Sequence, residues 1–122
     1  MKLLNRSSLT LLAKAPFAEW VATLPVDEFG SSDISLGSLQ KEGNVYLIGE
    51  VESEDDFRRE IGQHWRAIFE NELAAWDEMG DFWPSDLSLE LFNQWFTVGH
   101  QLMVFDLTEE TLLVAPLDNL SF

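Results

Sequence analysis

Cysteine is missing from this chain, and that absence excludes a disulfide framework, a thiolate metal site and a cysteine nucleophile. Cations are scarce. Seven Lys and Arg face 22 Asp and Glu, so the formal net charge is −15. Proteins that grip phosphate backbones carry basic patches, and this composition argues against direct nucleic-acid binding. Long apolar runs are also lacking. No window reaches the ~18 apolar residues of a membrane span. The start, with Lys2 and Ala13-Lys14-Ala15, has a superficial likeness to a signal peptide. Asn5-Arg6-Ser7-Ser8 breaks its apolar stretch short of the ~7–15 residues such a segment needs. A cytoplasmic protein is therefore expected.

What is present is a globular composition. The chain has 122 residues, of which 46% are hydrophobic and 12% aromatic, too apolar for an acidic disordered tail and enough for one domain. We read residues 1–122 as a single α+β domain. The charge is uneven along it. Residues 1–24 sum to +2, while the 56 residues after Arg66, the last cation, hold eleven carboxylates. Few of those carboxylates can find an internal partner. They must be solvated or face a cationic surface, and steering of that kind weakens with salt.

Periodicity predicts the elements. Residues 8–14 read as a strand ended by Pro16, and Phe17, Trp20, Val21 and Leu24 then form one face of a short helix. Residues 26–43, with Gly30, Ser31, Ser32, Gly37 and Gly43, read as a turn-rich connection in which Leu36 and Leu39 can form a helical turn. Val45 to Val51 is the clearest strand, and its near-continuous apolar run suggests an interior position. Ser53 caps a long helix with Glu54, Asp55 and Asp56 in its first turn. Phe57, Ile61, Trp65, Ile68, Phe69, Leu73 and Trp76 mark its buried stripe, to about residue 77.

A break follows at Asp77 to Pro84, where Gly80 suits a left-handed turn. A further helix, capped by Asp86 or Ser88, carries Leu91, Phe92, Trp95 and Phe96 and ends at Gly99. Residues 102–107 read as a strand, and Leu112 to Ala115 as the returning arm of a hairpin. The expected order is β-α-β-α-α-β-β, a two-layer sandwich with helices packed on a small mixed sheet.

The stretch from Glu70 to Asp106 (ENELAAWDEMGDFWP … LELFNQWFTVGHQLMVFDL) resembles a family of small, acidic, uncharacterised bacterial proteins. Thr10 to Trp20 and Val45-Tyr46-Leu47-Ile48 fit the same resemblance. It implies a bacterial, single-domain, cytoplasmic protein and transfers no catalytic residue.

There is no G-x-S-x-G elbow, P-loop, G-x-G-x-x-G or H-E-x-x-H, so no catalytic residue, cofactor or metal ligand is assigned. Asp77, Asp81 and Asp86 do not follow the calcium-loop pattern, since Phe82 stands where that loop needs Gly. His64 lies one turn after Glu60, in reach of its carboxylate. His100 and Asp106 lie roughly 20 Å apart if on one strand, too far to act together. Asp106 instead suits a cap on the next turn.

The residues that stand out are Phe82 and Trp83, set in the break between two helices and flanked by Asp77, Glu78, Asp81 and Asp86. An aromatic ringed by carboxylates is either a plug closing the helix pair or an anchor for a basic protein partner. These six residues are the candidate partner-binding site of an acidic interaction module, of the adaptor, inhibitor or immunity type. The alternatives are a nucleic-acid mimic occupying a basic groove and an enzyme built on paired carboxylates.

Overall fold

The structure, a computed structural model, describes residues 1–25 and 35–117. Among the described residues nine elements follow one another. Strands β1 (Lys2–Leu3) and β2 (Ser7–Ala13) precede helices α1 (Ala15–Thr23) and α2 (Leu36–Lys41). Strand β3 (Val45–Ile48) leads into the long α3 (Glu54–Ala74). Helix α4 (Leu89–Trp95), β4 (Phe96–Gln101) and β5 (Phe105–Asp106) complete the order. The class is α+β, with helices laid on a small sheet. The expected connection at 26–43 lies partly outside the described residues (26–34), and its remainder contains α2.

Three strands form the main sheet in the order β3-β2-β4, and β1 pairs with β5 in a two-stranded ribbon. All these pairings are antiparallel, whereas a mixed sheet was expected. The centre is β2, whose alternation decides the layers. Leu9, Leu11 and Ala13 are buried under the helices, while Leu12 is 45% exposed. Register places Leu9 opposite Tyr46 and His100 on the covered face. Thr10 opposes Val45 and Gly99, and Ser8 opposes Leu47 and Gln101, on the other face. Among the described residues no helix covers this second face over β3, where Val45 and Leu47 are 62% and 47% exposed.

The interior position expected for the Val45 strand is thus corrected: β3 is an edge. Continuous apolar sequence signals burial on both faces. Here it reflects one buried face and one bare one.

The second half of the chain also departs from the expected boundaries. Phe96 fits a helical stripe after Phe92 and Trp95, but its backbone is extended and it opens β4. The strand therefore starts six residues before the expected Leu102, and Gly99 lies inside it rather than at a helix end. The need for glycine there is steric. A Cβ at Gly99 would lie 2.6 Å from the Thr10 hydroxyl across the ladder. Of the expected 102–107 strand only Phe105 and Asp106 pair, with β1, and residues 112–115 form no hairpin arm.

Local chemistry sets the helix starts. Pro16 stands in the first turn of α1. The Ser53 hydroxyl accepts from the Asp56 amide at 3.2 Å to open α3. The Glu52 amide in turn donates to the Asp56 carboxylate at 3.0 Å and, with Ser53 and Arg59, holds that carboxyl below its usual range. Of the two caps considered for α4, Ser88 is used.

The core between sheet and helices is mainly aromatic. Phe17 and Phe96 approach to 4.8 Å between ring centres, and Phe69 meets Phe92, Trp95 and Phe96 at 5.5–5.9 Å. Tilted and edge-on pairs at these distances suit the ring quadrupole, at about 0.5–1.5 kcal/mol each beyond burial. The end of the sheet is pinned by the wholly buried Ser7. Its hydroxyl donates to the Leu102 carbonyl at 2.9 Å and accepts from the Val51 amide at 3.1 Å. Among the described residues no helix is long and apolar enough to cross a membrane.

Candidate functional site

The break between α3 and α4 is a built loop. Helix α3 closes with the Asp77 amide donating to the Leu73 carbonyl at 2.9 Å. The Asp77 carboxylate then accepts from the Phe82 amide at 2.7 Å, which folds the chain back on itself. Gly80 allows the reversal, at φ +77°, where other residues are strained. The Trp83 ring lies against Gly80, and its indole N–H donates to the Asp77 carbonyl at 2.9 Å. Finally Trp20 on α1 donates its indole N–H to the Phe82 carbonyl at 3.0 Å, tying the loop to the body of the protein.

The six sequence-designated residues therefore divide. Asp77 and Trp83 are half-buried; Asp77 holds the loop's backbone, and Trp83 packs against the buried core cluster. Glu78, Asp81, Phe82 and Asp86 are exposed. The apolar prominence consists of Phe82, 54% exposed, and Met79, 74% exposed. Met79 was not singled out in the sequence, where one methionine carries no signal. The role of Trp20 was equally hidden, because its position in the α1 stripe accounts for it as core.

Electrostatics add a second feature. Among the described residues five ion pairs form, and none involves Asp77, Glu78, Asp81 or Asp86. Of the carboxylates after Arg66, Glu70 pairs with Arg66 and Asp106 with Lys2. The others among the described residues form no ion pair. Asp106 also caps the next turn, accepting from the Thr108 amide at 3.0 Å.

The histidines offer no catalytic arrangement. His64 meets Glu60 at 3.1 Å on the surface of α3, as its spacing suggested. His100 stacks on Phe57, with ring centres 4.1 Å apart. Among the described residues no three His, Asp or Glu side chains gather as a metal-binding group.

A third cluster, unforeseen from sequence, joins β3 to α3. Asn71 donates to the Tyr46 hydroxyl at 2.9 Å, Tyr46 donates to the Glu72 carboxylate, and Asn44 donates to the same carboxylate oxygen at 2.7 Å. Burial and the neighbouring carboxylate push the Tyr46 hydroxyl well above the ordinary tyrosine range. No spacing rule links residues 44, 46 and 72, so only the fold reveals it. No protein-family model matches the chain, and neither a curated protein nor a solved structure does.

Proposed function

We propose that this chain is a small acidic interaction module and that the 77–86 loop docks a basic protein partner. The observation that carries the reading is an exposed Phe82 and Met79 on a loop fixed by side-chain hydrogen bonds, among carboxylates with no internal cation. A pre-ordered loop loses little entropy on association, and an apolar anchor amid charge supplies both contact and steering. Trp83 supports this surface from beneath, and Phe82 makes the contact.

The test is capture of partners from native extract by wild-type protein and by Phe82→Ala. The variant should fold normally, because its side chain is exposed, and should lose the captured partner. Capture by wild type should fall steeply as salt rises. Retention by Phe82→Ala, or indifference to salt, would refute the reading. Release of the partner by added duplex DNA would instead favour a nucleic-acid mimic.

A further inference from the structure

A cavity of about 240 Å³ lies between the sheet, α1, α2 and the last turn of α3, with Trp76 among its lining residues. Its floor is apolar, made by Leu11, Phe17, Leu39 and Phe96. Its rim differs in kind. Glu42, Asn44, Glu72 and Trp76 border it, so two carboxylates and an indole stand over a hydrocarbon base.

Three observations fix the sign of charge this cavity accepts. Neither Glu42 nor Glu72 has an ion-pair partner among the described residues, and Lys41, the cation next to Glu42 in sequence, pairs with neither. Helix α3 ends at this rim, with Ala75 bordering the cavity, and its last turn holds no basic residue. The negative end of its dipole is therefore uncompensated. Glu72 is held in place by Asn44 and Tyr46, both bonded to one carboxylate oxygen, which leaves the second oxygen without a donor among the described residues.

An anion is repelled by both carboxylates and by the C-terminal end of α3. A bare metal ion finds too few ligands, for no group of three His, Asp or Glu forms among the described residues, and an apolar floor gives it nothing. A neutral apolar molecule would leave the rim unused. The complement is an organic cation with a hydrocarbon body.

We infer that this cavity binds an alkylammonium or arylalkylammonium ligand, its ammonium at Glu72 and Glu42 and its apolar body on Phe17, Leu39 and Phe96. The size agrees. An apolar cavity of ~150 Å³ takes benzene, so this one takes about ten non-hydrogen atoms. Trp76, 37% exposed at the mouth, can add a cation–π contact. The inference is independent of the 77–86 docking loop.

The experiment is titration calorimetry with 2-phenylethylamine and with its neutral isostere 2-phenylethanol, alongside amide NMR shifts of Gly43, Asn44 and Ala75. The amine should bind at least tenfold tighter than the alcohol and shift those amides. Glu72→Gln keeps an oxygen for Tyr46 and Asn44 and should erase the preference while sparing alcohol binding. Should that variant unfold, Glu42→Gln, at an exposed position, should reduce the preference several-fold. Ala75→Leu at the mouth should weaken both compounds. Equal affinity for amine and alcohol, no binding of either, or a preference unchanged in both carboxylate variants would overturn the assignment.

Discussion

Two segments of this protein lack regular secondary structure yet carry large apolar side chains beside carboxylates: the loop at 75–88 and the segment at 107–117. They end differently. The first is cross-tied by Trp83, Asp77, Gly80 and Trp20. In the second, Leu112, Leu113 and Val114 are 60%, 89% and 82% exposed, and its turn bonds cluster at its start, where Asp106 and Thr108 accept from Thr108 and Glu110. The second segment is the more apolar of the two and carries fewer carboxylates, so hydrophobicity does not decide which segment is cross-tied. What decides is a ring large enough to reach the core with an N–H that satisfies a turn carbonyl, plus one residue free to take positive φ. The second segment has neither.

That contrast can be broken at its strongest point. Trp83→Ala should cost about 2–4 kcal/mol in denaturant unfolding, since it removes a half-buried ring together with its hydrogen bond. Trp83→Phe, which keeps most of the packing, should cost only about 1 kcal/mol. An unfolding midpoint unmoved by Trp83→Ala would mean that the loop is held by its backbone alone.

Tyr46 ties β3 to α3 much as Trp83 ties the loop, and its test is pH. Its hydroxyl titrates higher in the folded than in the unfolded chain. The resulting stability is complete below the ordinary tyrosine value of about 10 and is lost as pH rises beyond it. Thermal melts should therefore fall in the alkaline range for wild type and fall less for Tyr46→Phe. Tyr46 is the single tyrosine of the chain, so phenolate absorbance reports its ionisation directly. Ionisation at the usual value would contradict the half-buried bond to Glu72.

Gly80→Ala should cost about 1–2 kcal/mol, because the added methyl has room beside Trp83 but the backbone is left-handed there. At the other extreme, Leu113→Ala should change stability by less than about 0.5 kcal/mol. A larger loss would show that the 107–117 segment is packed in solution.

Sequence reasoning reached much of the fold through period and caps. Ser53, Pro16 and the Phe57-to-Leu73 stripe announce α3 and α1 because a helix face and its end groups are local properties. Phe96 and Val45 to Ile48 misled for a common reason. An apolar side chain can be followed equally by helix or strand, and a strand can be apolar on both faces without being covered on both. Within the candidate site, the left-handed turn at Gly80 and the carboxylates around Phe82 were legible. Which of Phe82 and Trp83 turns inward was not, because it depends on Trp20, some sixty residues away along the chain.

The outer edge of β3 has a colloidal consequence. Asn44 to Gly49 presents no lysine, proline or charge at a strand border, the devices by which soluble proteins discourage intermolecular strand pairing. Mutual repulsion between whole molecules of charge −15 takes over that duty at neutral pH. Acidification toward the isoelectric point near 4.1 removes it, and the protein should then precipitate through this border sooner than it unfolds, an outcome that a lysine at Val45 would delay.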